Sequence, residues 1–260
     1  MSNQDIPSNV REMIREGKWS EPTSGLCMGY VQANLVILPK EWAYEFLLFC
    51  VRNPKPCPIL EVLDPGVVEP KIARDADIRR DLPKYRIYKN GGIKEVVEDI
   101  SGLFTDDMMS FLLGCSFSFE KALMDAGIGI RNIDEGKNVS MYITDRKCQS
   151  AGRFSAPLVV SMRPMKIEEA IRASQITTRF YLTHGAPVYM DDPHGIGIDD
   201  INRPDFGDPV TIREGEIPVF WACGVTSQLA IESASPPIAI THHPGHMFIT
   251  DLKDEDLTVL

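Results

Sequence analysis

The segment from Pro218 to Asp251 constrains the fold of this chain more than any other. Residues 218–222 form an apolar run of strand length, and Cys223-Gly224-Val225-Thr226-Ser227 breaks it with a glycine-bearing turn before a helix-forming stretch. A second apolar run at 238–241 leads into His242, His243 and His246, with Pro244-Gly245 as a turn between them. Strand, turn, helix and strand in succession predict an α/β fold, in which ligands bind in the crevice beyond strand ends. Three of the five histidines and one of the six cysteines stand at such ends.

Around this segment the chain reads as a mixed-sheet α/β body with a smaller α+β domain inserted. Helices are predicted near 7–17, at 41–52, near 105–113 up to Gly114, at 117–125 and at 166–177. Strands are predicted at 59–63, 84–89, 139–143, 157–162 and 186–190, whereas 31–38 fits helix or strand equally. Residues 70–95 are polar and predict a surface course, and glycine, proline and aspartate crowd 191–209. The change of character after Ile128 sets the expected division: 1–127 with 213–260 as a discontinuous body, 128–212 as the insert. The chain is expected to return to the first sheet at Glu216.

A net charge of −10, from 27 basic and 37 acidic side chains, disfavours nucleic-acid binding. The polar start offers no apolar core of signal-peptide type, and no run reaches the length of a membrane helix. Six cysteines without a Cys-x-x-Cys pair, in a chain of 260 residues, predict reduced thiols and a cytoplasmic location.

Four places could carry chemistry. At the Cys223 turn, N–H groups at a helix start suit a carboxylate or phosphate. Gly224 eases the turn there, and Thr226 or Ser227 caps the helix or donates to the ligand. At Gly114-Cys115-Ser116, a helix resumes through Glu120, and Ser116 and Glu120 share a face that could hold an ammonium or serve proton transfer. Arg163 follows an apolar strand, where its fork could clamp a carboxylate or pair with Glu168 or Glu169; Arg153 and Arg179 are weaker candidates. His242 and His246 are candidate acid–bases, with His184 and His194 as further polar groups. The His-His-x-x-His string lacks the helical spacing of His-Glu-x-x-His zinc sites, and Cys115 and Cys223 read as buried thiols before they read as nucleophiles.

These stretches also carry a family resemblance. Leu113-Gly114-Cys115-Ser116-Phe117-Ser118-Phe119-Glu120, Val159-Val160-Ser161-Met162-Arg163-Pro164, His184-Gly185-Ala186-Pro187-Val188, residues 218–226 and Pro244-Gly245-His246-Met247 resemble the hydro-lyase family that includes D-glutamate cyclase. The resemblance covers roughly residues 15–252. It implies a lyase without cofactor or metal that acts on a small amino dicarboxylate, cyclising D-glutamate to 5-oxo-D-proline with loss of water. Where the family often has Met-Tyr-Arg-Thr-Asn, this chain has Met141-Tyr142-Ile143-Thr144-Asp145, without the charged side chain. Where the family tends to have Thr-His-Ala-Pro-Gly-His, the chain has Thr241-His242-His243-Pro244-Gly245-His246, which favours His242 and His246 over His243.

The expected roles follow. His246, His242 and Glu120 are catalytic. Arg163, Cys115, Ser116, Cys223, Gly224, Thr226, Ser227 and His184 bind a small amino or carboxylic acid. Neither nucleic acid nor membrane is an expected partner, and a homodimer is the expected assembly. The alternatives are a metal-assisted dehydratase drawing ligands from His184, His194, His242, His246, Asp191, Asp192 or Asp251, and a small-carboxylate-binding protein without turnover.

Overall fold

A computed structural model describes residues 6–259; the polar start at 1–5 lies outside the described residues. The fold is α/β, with a larger sheet and a smaller one flanked by helices. The larger sheet runs in the order β2 (Ile59–Leu63), β5 (Met108–Gly114), β1 (Tyr30–Pro39), β10 (Ala239–His242), β3 (Tyr85–Lys89), β4 (Gly92–Val97), and β11 (Phe248–Lys253) also pairs with β1. The smaller sheet runs β6 (Ser140–Lys147), β7 (Pro157–Lys166), β9 (Glu216–Ala222), β8 (Tyr189–Met190). Strand direction is more uniform than in the mixed sheet expected, for every pairing between these strands is antiparallel. Strand C-termini therefore do not gather along one edge, and the crevice rule of parallel sheets does not locate the site.

Alternation along β1 builds two core layers. Val36 and Leu38 face α2 (Lys40–Arg52), where Phe46 and Phe49 meet Phe111 and Leu113. Leu35 and Ile37 face the other way, onto Tyr85, Ile87, Leu112 and Ile240. That second face is covered by Ala73, Ala76, Ile78 and Leu82, all buried. Part of the segment expected on the surface is thus a lid on the core, its apolar residues hidden among charged ones. At the N-terminus, α1 (Pro7–Arg15) packs Val10 and Ile14 against Leu26, Cys27 and Ile249.

Two expectations are corrected. The helix expected near 105–113 is strand β5, which is central and buried along Ser110–Gly114. An apolar run covered on both faces has no period by which to tell helix from strand. A Cβ on Gly114 would lie 1.8 Å from the Leu182 carbonyl oxygen, so the glycine admits the 181–183 turn against the strand. The second correction concerns Glu216, where the chain does not return to the first sheet. Strand β9 pairs with β7 from Val160↔Ala222 to Lys166↔Glu216, and the return comes at β10.

The smaller sheet packs Met165, Val219 and Trp221 against α3 (Glu120–Asp125) and α5 (Ile167–Thr178). Its other face buries Tyr142, Val160, Met162 and Phe220 under residues 196–212. Between the sheets lies a third cluster: Cys115 and Phe117 after β5, Met141 and Val159 of the smaller sheet, Cys223 and Val225 after β9, and Met247. That junction positions the candidate site.

Candidate functional site

Two strands from different sheets end facing each other at the junction. Strand β5 ends in Gly114-Cys115-Ser116, then a 3-10 turn over Ser116–Phe119 that passes into α3. Strand β9 ends in Cys223-Gly224-Val225, then α6 (Thr226–Ala234). The repetition is electrostatic as well: the backbone at Phe117 pulls the Cys115 thiol down against burial, and the backbone at Val225 does the same to Cys223. The closest approach is made by Gly224, where a Cβ would lie 2.2 Å from the Asn34 side-chain amide. Asn34 in turn donates to the Gly114 carbonyl at 2.8 Å, so one amide of β1 ties both strand ends.

A small cavity of about 20 Å³ lies here, with Asn34, Cys115, Ser116, Cys223, His242 and Gly245 among its lining. This has room for about one water, so a substrate the size of an amino acid enters only if the walls part. Larger concavities lie elsewhere, of about 530 Å³ beside Cys148 and Ser233 and about 400 Å³ beside Asp254. Volume does not decide between them; the most deeply buried ion pair among the described residues lies at the junction.

That charge is Arg163, 1% exposed, whose Nη2 reaches Glu120 Oε1 at 2.5 Å and Ser116 Oγ at 3.1 Å, while Nη1 reaches Ser161 Oγ at 3.2 Å. The partner of Arg163 is therefore Glu120, 43 residues away in sequence, rather than Glu168 or Glu169. Burial pushes the Glu120 carboxyl above its usual range, against the pull of Arg163. Burial also raises both thiols, Cys223 to about 11 and Cys115 further, so both are protonated at neutral pH.

Several buried polar atoms at this junction have no hydrogen-bond partner, among them Arg163 Nε, His246 Nε2, Gln32 Oε1 and Asn132 Oδ1. A continuous chain of contacts joins their residues. Ser24 Oγ donates to Glu120 Oε2 and accepts from Asn132, Gln32 donates to the Thr23 carbonyl, and Thr23 bonds the backbone at Gly245 and Met247, on either side of His246. Free polar atoms gathered in one network have groups to offer a ligand. Ser24, Gln32, Asn34 and Asn132 were missed in the sequence reading; ordinary polar residues far apart in the chain give no local signal.

The histidines divide. Gln228 Oε1 accepts from Arg86 and Tyr88, which orients its amide so that Nε2 donates to His242 Nε2. At the other ring nitrogen, Nδ1, the Leu35 N–H donates at 3.2 Å and the Leu35 carbonyl lies at 3.3 Å. Burial holds His242 down to about 3, so it is neutral with both nitrogens engaged. His246 bonds the Pro244 carbonyl through Nδ1 and packs its ring on His243 at 4.9 Å. Its Nε2 makes no hydrogen bond, although the Ser20 backbone lies near enough to favour the charged ring. Its neighbours Gly245 and Met247, rather than its own ring, line the cavity. His184 is held by the Lys55 carbonyl at 2.8 Å in a left-handed conformation, φ 83°, and burial lowers it to about 4.

Of the sequence-predicted residues, Cys115, Ser116, Cys223 and His242 line one cavity, with Arg163 and Glu120 bonded behind Ser116. The hydroxyls of Thr226 and Ser227 turn back to the Cys223 and Gly224 carbonyls at 2.7 Å each, so neither caps α6. Arg153 pairs with Glu45 on the surface, and Arg179 bonds the Val259 carbonyl. Among the described residues no three His, Cys, Asp or Glu side chains gather as a metal-ligating set. No helix among them is long and apolar enough to cross a membrane.

An α/β fold with an arginine–carboxylate pair buried between two sheets suits an enzyme, and comparison with known proteins agrees. The model of the family described as D-glutamate cyclase matches residues 109–251. A protein of Syntrophobacter fumaroxidans named "Putative hydro-lyase" is 58% identical over 100% of both chains. Proteins of the same description from Geobacillus kaustophilus and Bacillus subtilis are 60% and 55% identical, covering 96% and 98% of this chain and 96% and 99% of their own. The chain belongs to the family of hydro-lyases related to D-glutamate cyclase.

Proposed function

We propose that this enzyme cyclises D-glutamate, joining the α-amine to the γ-carboxyl carbon and expelling water to give 5-oxo-D-proline. The observation that carries the reading is the buried Arg163–Glu120–Ser116 constellation, with Arg163 Nε still free. An arginine with an unused donor is suited to a carboxylate, and a neighbouring carboxyl held above its usual range is suited to giving up a proton.

In the proposed reaction Arg163 and Ser116 hold the γ-carboxylate when the junction opens. The amine must be neutral to attack, and His246, with Nε2 free, accepts its proton. The C–N bond forms, and the tetrahedral oxyanion is stabilised by the Arg163 fork. Glu120, a carboxylate in its pair with Arg163, takes the second proton of the bonded nitrogen and passes it to one carboxyl oxygen. That oxygen receives the other proton back from His246 and leaves as water as the C–O bond breaks. One water is lost for each ring formed, and orientation of amine against carboxyl supplies much of the acceleration. His242, neutral and doubly bonded, orients the wall of the cavity, and Cys115 and Cys223 form its apolar lining.

Incubation with D- and L-glutamate, with 5-oxoproline followed by chiral chromatography, tests the assignment. Formation of 5-oxo-D-proline from D-glutamate is the expected result. If correctly folded protein turns over neither enantiomer, the substrate is wrong.

A further inference from the structure

Away from the sheet junction, a cavity of about 400 Å³ opens between α3 and the C-terminal 3-10 turn over Asp254–Leu257. Its charged lining is Lys121, Asp125, Arg179, Lys253, Asp254 and Glu255. The volume lies within the ordinary range of small-molecule sites.

One of these groups is unmatched. Asp254 is 7% exposed, its Oδ1 has no hydrogen-bond partner, and among the described residues it takes part in no ion pair. The other acids have partners, Asp125 in Lys121 and Glu255 in Lys253 at 3.7 Å. Asp254 is held in place by its own backbone, whose N–H donates to the Gly29 carbonyl at 3.0 Å. Leaving a carboxyl buried and unpaired is costly, and a fixed one on a cavity wall is a receptor for a compact cation that brings several N–H donors. Arg179, on the same cavity, is an exposed guanidinium that uses Nε on the Val259 carbonyl at 3.3 Å. Its remaining fork is matched in shape to a carboxylate.

We infer that this cavity is a second binding site, for a small zwitterionic amino acid whose ammonium group rests on Asp254 and whose carboxylate rests on Arg179. Neither residue belongs to the Arg163–Glu120 network, so the inference stands apart from the cyclisation reading. Burial pushes the Asp254 carboxyl up to about 8, with Lys121 opposing and Glu120 adding to the rise. An arriving ammonium favours the ionised form, so the ligand supplies the charge partner that the fold omits.

L-Glutamate and glutarate differ only in the ammonium group, and titrating each into ¹⁵N-labelled protein separates the contributions. L-Glutamate is expected to move the amides of residues 28–30, 121–125 and 253–258, and to bind at least about tenfold more tightly than glutarate, the scale of one charge-assisted hydrogen bond. Asp254→Asn, a neutral replacement of the same shape, abolishes that preference, and the exposed Arg179→Met weakens both ligands. Ser116→Ala, at the junction, leaves the titration unchanged. Equal affinity for the two ligands, a preference that survives Asp254→Asn, or shifts confined to residues 115–118 and 223–227 would overturn the inference, as would no shift at all.

Discussion

Arg163 and Glu120 meet at 2.5 Å with both side chains sealed from solvent, so neither charge can be removed without stranding the other. Phe119 and Trp221 stack near the guanidinium at 5.4 and 5.6 Å and complete its enclosure. Breaking a buried pair from one side costs about 3–5 kcal/mol, because an uncompensated charge remains. Glu120→Gln is therefore expected to lower unfolding free energy on that scale. The double variant Glu120→Gln with Arg163→Met should lose less than the sum of the two single losses. Urea unfolding of the four proteins measures the coupling; additive losses would show that the pair is not energetically joined.

The histidines set the acid limit of stability. Burial holds His242 to about 3 and His184 and His243 to about 4, below the usual value near 6.5. As pH falls below 6.5 the unfolded chain takes up protons that the folded one refuses. Their contribution is thus complete above pH 6.5 and lost as pH drops toward 4. The two enclosed rings, His184 and His242, each add a slope of up to about 1.4 kcal/mol per pH unit in that window, and the more exposed His243 adds less. Asp254, raised to about 8, acts in the opposite sense between about 4 and 8, so the cleanest measurement uses Asp254→Asn as background. Melting temperature in that variant should fall steadily from pH 6.5 to 5; a flat profile would mean that the three imidazoles are not held neutral by burial.

Gly224→Ala tests the contact between the two sheets. The added carbon would lie within 2.4 Å of three atoms of the Asn34 amide and displace the bond that Asn34 makes to Gly114. A loss of about 1–3 kcal/mol is expected, the usual cost of overpacking. The added change Asn34→Ala should recover part of it. Differential scanning calorimetry on the series checks this, and an unaltered melting temperature in Gly224→Ala would contradict the close approach.

His246 has the free nitrogen that His242 lacks, which separates the two in turnover. His246→Gln keeps a hydrogen-bonding group but cannot titrate, and is expected to reduce kcat by about 10²–10⁴, the range of a positioned acid–base. His246→Ala should fall equally far, with melting temperatures showing the fold retained. If His246→Gln turns over D-glutamate at nearly the wild-type rate, the residue orients and does not exchange protons.

Legibility in the sequence followed the range of the interactions involved. Cys115, Arg163 and Cys223 stood out because each ends or follows an apolar run, and the structure brings them to one junction. Strand β5 was misread because Phe111, Leu112 and Leu113 are buried on both faces and carry no period. Strand β4, the hairpin partner of β3 and exposed along nearly its whole length, offered no alternation to notice. Ser24, Gln32 and Asn132 were silent because their meaning comes from partners brought near by folding: Ser24 meets Glu120 across 96 residues and Asn132 across 108. The neutrality of His242 likewise comes from burial under elements far apart in the chain, and no spacing announces it.

The central claim is that D-glutamate loses water at the Arg163–Glu120 junction. The most direct test is the rate of 5-oxo-D-proline formation from D-glutamate by wild-type protein and by Glu120→Gln, measured side by side with folding verified by circular dichroism. The account predicts enantioselective turnover by the wild type and a fall of about 10²–10⁴ in the variant. No product from folded wild type, or equal rates from the two proteins, would contradict it.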